Sequence, residues 1–241
     1  MTDSNINEKN VLIVGSSSSI GNEISILFRK ASMRVITTYT STQPKNVYGQ
    51  SDSDILHLDL RDDESIESFS QRLKKIISSI DIAIFLAGIL PGKNLEEYEL
   101  LDIDEVMAIN FNGQAKLVMK MLPLFTSKSR LLLFSSISAQ RGSYDPIYAA
   151  SKGAILSFVK SLARGLPPGM SVNSIAPGLI QDSRMFDDMA IERQNYHRNQ
   201  VPSKELLCSE DLAKIVFDLC QEHWKHLNGA CIDINGGQSV R

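Results

Sequence analysis

The feature that most constrains this 241-residue chain is a repeated exchange between short apolar runs rich in β-branched residues and longer amphipathic stretches. The runs fall at residues 11–14, 35–39, 55–58, 82–86, 130–135, 171–175 and 230–234. Most are apolar without alternation, which fits parallel strands covered on both faces. Between them lie helix-like segments at 22–30, 62–77, 102–125, 148–162 and 209–222. Asp62-Asp63-Glu64 marks one helix start, because carboxylates there oppose the positive end of the helix dipole. The alternation predicts repeated βαβ units in one doubly wound, mostly seven-stranded parallel sheet with helices on both faces. No repeat, low-complexity stretch or Pro/Gly linker divides the chain, so a single α/β domain is expected, and 43% hydrophobic residues supply its core.

Charge and termini narrow the partners. A net charge of -3 with no concentrated basic patch predicts no nucleic-acid partner. The longest apolar stretch, 82–90, is short of the roughly 18 residues of a membrane helix, and MTDSNINEKN lacks the pattern of a signal peptide. A cytoplasmic protein with no membrane partner is expected. Cys208, Cys220 and Cys231 are odd in number and spaced neither as CxxC nor as a disulfide framework, and are read as buried thiols. His57, His197, His223 and His226 are scattered, so no metal site is assigned. Residues 181–204 show no clear periodicity and carry Met185, Phe186, Met189, Ile191 and Tyr196; a lid over a pocket and an ordinary surface helix pair both fit.

VLIVGSSSSIG, residues 11–21, joins the first apolar run to a helix through a Gly/Ser loop. Such a junction gathers free backbone N–H groups and the positive helix end at one point, as a pyrophosphate requires. Gly15 would allow a tight turn and Gly21 a close helix–strand approach, yet a polar turn without a ligand reads the same. Asp59, after the third run, can accept a hydrogen bond from an adenine amino group or cap the following helix. The second run ends in Tyr39-Thr40-Ser41-Thr42, where an NAD site places an acid on the ribose 2′-hydroxyl. Without that acid a 2′-phosphate is not repelled, so NADP(H) is favoured over NAD(H). Lys45 is the nearest cation in sequence.

FSSISAQRGSYDPIYAASKGA, residues 134–154, carries the chemistry. Tyr148 and Lys152 are four apart at an apparent helix start and share a face. Ser136 ends a strand twelve residues earlier, and Asn110 lies within MAINFNG in the preceding long helical segment. With the glycine loop, SIAPG at 174–178 and INGGQS at 234–239, these residues resemble the short-chain dehydrogenases/reductases over nearly the whole chain. SIES at 65–68 and NQVP at 199–202 point to members similar to bacterial 3-oxoacyl-[acyl-carrier-protein] reductases.

The resemblance implies a single NAD(P)-binding domain of Rossmann type with a substrate lid at about 181–204, interconverting a ketone and a secondary alcohol. Tyr148 would be the proton donor and Ser136 the hydrogen-bond donor to the substrate oxygen, while Asn110 would hold a water through its backbone. A phenol of pKa about 10 would have to fall to roughly 7, about 4 kcal/mol, which Lys152 and an oxidised nicotinamide would supply as nearby cations. Implied cofactor contacts are Gly15, Ser17, Ser18, Ser19, Ile20 and Gly21 in the loop; Tyr39, Thr40 and Ser41; Asp59 and Leu60; Ala87 and Gly88; Tyr148 and Lys152; and Pro177, Gly178 and Ile180. A small carbonyl or alcohol substrate and a homotetramer or homodimer formed through the long helices are also implied.

Several positions depart from the family pattern. Val14 and Ser19 replace a threonine and a glycine of the usual loop, and Phe85-Leu86 replaces two asparagines. Asp182 stands where a threonine is expected five residues after Pro177. Basic residues for an acidic carrier protein are not evident, Arg130 being the single candidate. A dehydrogenase of sugars or other small alcohols, and a cofactor-sensing protein without turnover, are the rival readings.

Overall fold

A computed structural model describes residues 9–41, 51 and 54–240. Among these, seven strands form one parallel sheet: β1 (Asn10–Val14), β2 (Arg34–Tyr39), β3 (Ile55–His57), β4 (Ile80–Phe85), β5 (Phe125–Phe134), β6 (Ser171–Pro177) and β7 (Cys231–Ile234). Their spatial order is β3-β2-β1-β4-β5-β6-β7. The order reverses between β1 and β4, and a crevice at the carboxyl ends of such a pair is where open α/β sheets bind ligands.

The apolar runs are explained by two buried layers. Leu12 and Val14 face one side, with Ile66, Phe69 and Leu73 of α2 (Asp63–Ile76), Leu117 and Met121 of α4 (Gly113–Met121), and Ile155 and Val159 of α6 (Pro146–Gly165). Val11 and Ile13 face the other, with Ile24 and Phe28 of α1 (Ser19–Lys30) and Leu212 and Val216 of α9 (Ser209–Leu219). Successive strand side chains alternate faces, so burial on both makes the runs mostly apolar, with hydrogen-bonded exceptions such as Ser129 and Asn173.

The segment expected as one helix over 102–125 is divided. It comprises α3 (Leu100–Met107), a π turn (Ala108–Asn112), α4 and a 3-10 turn (Leu122–Leu124) that carries Pro123. Phe125 already belongs to β5, which starts five residues before the expected strand because Thr126, Ser127, Lys128 and Ser129 mask it with polar side chains. The helix carrying Tyr148 also starts earlier, at Pro146, where Asp145 accepts from the Tyr148 N–H as N-cap and proline suits the first turn. α5 (Ser138–Arg141) precedes it. Residues 181–204 hold α7 (Arg184–Asp187) and α8 (Ile191–Gln200), with Phe186, Val201 and Leu206 buried together.

Arg130 is 8% exposed and its guanidinium donates to the carbonyls of Lys128, Ser129 and Gly169. It is a tie between strand ends, neither a solvated arginine nor a cation presented to an acidic partner. Of the cysteines only Cys220 is buried, and burial pushes its thiol up to about 12; Cys208 and Cys231 are half-buried. Among the described residues no helix is long and apolar enough to cross a membrane, and no cluster of His, Cys, Asp and Glu fits a metal ion.

Candidate active site

The two halves of the crevice meet at glycines. Gly15 follows β1 with φ +88, and a Cβ there would lie 2.6 Å from the Ala87 nitrogen after β4. Both conditions demand glycine. A Cβ on Gly21 would lie 2.6 Å from Ser16 Cα, so the first turn of α1 closes against the loop. The Gly15 N–H donates to Thr38 Oγ1 at 3.0 Å and the Ser16 hydroxyl to the Thr38 carbonyl at 3.0 Å, bracing the loop on β2. Ser18 caps α1 by accepting from the Gly21 N–H at 3.1 Å, while Ser17, Ser18 and Ser19 stay exposed at the helix's positive end. Ile20 is half-buried against the apolar layer of α1 and α9, leaving its backbone to the loop.

Ser19 resolves one departure. Its hydroxyl lies 2.9 Å from Ser209 Oγ, and Ser209 donates its backbone N–H and its hydroxyl to Asp182 Oδ1 at 2.8 and 3.0 Å. Two unusual residues, Ser19 and Asp182, thus belong to one network that caps α9 and ties it to the glycine loop.

Farther along the crevice, Tyr39 stacks edge-on with His57 and the Thr40 hydroxyl donates to the Leu58 carbonyl at 2.8 Å, while Ser41 is exposed. Thr42 and Lys45 lie outside the described residues. Both carboxylate oxygens of Asp59 are engaged by Arg61, at 2.7 Å for the closest pair, and these hydrogen bonds hold Asp59 below the usual carboxylate range. The cap of α2 is Asp62, so the capping role expected for Asp59 is corrected. Leu60 and Ile180 are buried in the core, at 6% and 7% exposure, so neither side chain lines an open crevice. Pro177 ends β6, and Gly178 donates to the Ile234 carbonyl at 2.9 Å.

The other half gathers Ser136, Tyr148, Lys152 and Asn110, which are 8%, 8%, 4% and 0% exposed. The Ser136 hydroxyl is near enough to the Tyr148 phenol to favour its ionised form, and its oxygen accepts from the Ser138 N–H at 3.1 Å. Lys152, one turn on, has its ammonium 6.0 Å from the Tyr148 ring centre and donates to the Phe134 carbonyl at 2.8 Å. A Cβ on Gly88 would lie 3.0 Å from Lys152 Nζ and 3.3 Å from Asn110 Oδ1, so this glycine lets lysine and amide approach the end of β4. Asn110 occupies the π turn, where its amide accepts from the Ile89 N–H and donates to the Ile89 carbonyl and to Ser151 Oγ, at 2.8, 2.9 and 3.0 Å.

Electrostatically, burial pushes the Tyr148 phenol up despite the opposing influence of the nearby Ser136 hydroxyl, and burial pushes Lys152 down to about 8. The Lys152 ammonium donates to the Phe134 carbonyl, and Ser136 is the neighbour that favours phenolate.

Gln114 carries no signal in the sequence, yet it is buried and donates to the Ala87, Ile109 and Asn110 carbonyls at 2.8, 3.3 and 3.1 Å. It supplies an amide at the end of β4, where Phe85-Leu86 supply none, and engages one lone pair of the carbonyl expected to hold water. Among the described residues its Oε1 has no hydrogen-bond partner.

Residues 14–239 match the family model described as enoyl-(acyl carrier protein) reductase. The chain belongs to the short-chain dehydrogenase/reductase family, whose members are oxidoreductases that bind nicotinamide cofactors. It is 29% identical to the 3-oxoacyl-[acyl-carrier-protein] reductase FabG of Aquifex aeolicus over 238 residues, covering 94% of this chain and 95% of that one. It is also 29% identical to the FabG of Buchnera aphidicola from Acyrthosiphon pisum, covering 97% and 98%. Among solved structures, the short-chain dehydrogenase/reductase named glucose/ribitol dehydrogenase from Brucella melitensis superposes with a TM-score of 0.89 at 25% identity, covering 97% of each chain.

Proposed function

We propose that this short-chain dehydrogenase/reductase reduces a ketone to a secondary alcohol with NADPH, and that 3-oxoacyl thioesters are the substrates to try first. The observation that carries the reading is the burial of Ser136, Tyr148 and Lys152 together at the carboxyl end of the parallel sheet, with the Lys152 ammonium 6.0 Å from the Tyr148 ring centre. When bound, the dinucleotide supplies a hydride. The glycine contacts at Gly15 and Gly21 and the exposed Ser17–Ser19 stretch fit such a group along the crevice. Ser136 orients the carbonyl oxygen and Tyr148 gives it a proton. In the family's role for it, Lys152 binds the ribose, for which its ammonium must leave Phe134. Asn110 and Gln114 keep the end of β4 in place. Residues 181–204 cover the substrate side.

NADP(H) is supported by the absence of an acid in Tyr39-Thr40-Ser41 and by the relatives named FabG. Exposed Leu100, Leu101, Met119 and Leu122 support self-association through α3 and α4. The test is NADPH consumption with a panel of 3-oxoacyl thioesters, sugars and diketones, beside NADH. Turnover of acetoacetyl-coenzyme A with NADPH supports the proposal. Tight NADPH binding with no turnover across the panel would favour a cofactor sensor, and preference for NADH would overturn the reading of the β2 end.

A further inference from the structure

Asp145 is fully buried, yet among the described residues no cation is bonded to its carboxylate. Instead, four donors converge on its carboxylate. Oδ1 accepts from the Tyr148 N–H at 2.9 Å and the Tyr98 hydroxyl at 2.7 Å. Oδ2 accepts from the Gly92 and Lys93 N–H groups at 2.9 and 3.3 Å. One oxygen therefore serves the first turn of α6 and the Tyr98 side chain, and the other serves the backbone after β4. A buried carboxylate is tolerated when such donors replace its water shell.

The segment it holds, residues 89–98, leaves the crevice at Gly88 and is fixed at a second point by Asn110, which brackets both backbone groups of Ile89. Asn110 donates to Ser151, and Ser151 donates to the Tyr148 carbonyl at 2.7 Å. Both pins therefore end on the backbone of Tyr148. We propose that Asp145 is a positioning residue that locks the 89–98 segment, as a wall of the substrate cleft, to the turn that aims the Tyr148 phenol. The proposal rests on Tyr148 being the proton donor.

Charge gives this role a readout that packing alone lacks. The groups facing Tyr148 are Ser136 from the end of β5, Lys152 on its own helix and Asp145 at its cap; the nearby anion favours the protonated phenol. Around Asp145 lie Tyr98, Tyr144 and Lys93, the last paired with Asp102 at 2.5 Å. Asp145→Asn keeps the size but removes the charge, and its amide N–H₂ must confront a backbone N–H on whichever side it faces.

Two measurements on the full chain test this. In hydrogen exchange of the ligand-free protein, Asp145→Asn should speed exchange of the 89–98 segment by about tenfold or more. In oxidation of 3-hydroxybutyryl-coenzyme A by NADP⁺, or of the best alcohol from the panel, the acid limb of the rate profile should move to lower pH by about half a unit to one unit. Tyr98→Phe keeps the carboxylate, so KM should rise a few-fold without that acid shift; this variant decides the matter should Asp145→Asn not fold. Unchanged exchange and an unchanged limb in folded Asp145→Asn, or an unchanged KM in Tyr98→Phe, overturns the positioning role while leaving the proton donor standing. Full activity in Tyr148→Phe overturns the donor and the positioning role together, and faster exchange in Asp145→Asn would then mark a structural anchor only.

Discussion

On the β1 side of the crevice, Ser17, Ser18 and Ser19 are exposed and the loop is shaped by what is missing, namely the Cβ atoms of Gly15 and Gly21. On the β5 side, Ser136, Tyr148, Lys152 and Asn110 are buried and shaped by what each side chain bonds to. A loop that must receive anionic oxygens keeps its N–H groups open to solvent. A site that moves a proton needs fixed dipoles in a dry setting, where unpaired polar groups are costly, so its members are tied to one another. Substitutions should therefore be severe on the phenol side and mild on the serine side.

The largest break is expected from Tyr148→Phe. It should lower kcat for ketone reduction by about 10³-fold, since a general acid contributes roughly 10² to 10⁴. Steady-state rates beside an unchanged NADPH affinity would check it.

Lys152 sharpens the comparison through pH. Burial brings its folded pKa to about 8, below the ordinary lysine value of 10.5, so the folded chain gives up the proton first and stability rises between about pH 8 and 10.5. Below pH 8 the buried cation costs about 3 kcal/mol. Urea unfolding of Lys152→Met against the unsubstituted protein should show the variant's relative stability falling by about that amount from pH 7.5 to 10. A flat difference would mean that the ammonium is better hydrated than its 4% exposure implies. Above pH 10 the raised phenol of Tyr148 acts in the opposite direction, because the unfolded chain then ionises first.

Ser136→Ala should cost about 10²-fold in kcat/KM, through loss of one donor to the reacting oxygen and of the neighbour that favours phenolate. Ser19→Ala should do least. It removes the contact to Ser209, worth about 1 kcal/mol, and should change NADPH affinity only a few-fold, measured by fluorescence titration. A hundredfold loss there would erase the contrast between the two sides.

The fold was legible because runs buried on both faces cannot disguise their composition: all seven expected strands lie in the sheet, with boundaries moved by a few residues. The errors have physical causes. The segment over 102–125 looked continuous because apolar spacing does not register a π turn, and it is Asn110's bonds to the Ile89 backbone that occupy that turn. Arg130 stood as a candidate for an acidic partner because nothing near it in sequence reveals the Gly169 carbonyl, 39 residues away, that receives it.

Sequence alone determined the order of βαβ units, the glycines at forced contacts and the Tyr148–Lys152 spacing, since these depend on local propensity, burial period and the reach of one helical turn. Only the tertiary structure decided that Asp182 caps α9 and meets Ser19, that Gln114 serves the end of β4, and that Asp145 binds a segment more than fifty residues earlier. Hydrogen bonds of that kind join groups whose separation along the chain carries no periodicity, so only the folded path brings donor and acceptor within 3 Å.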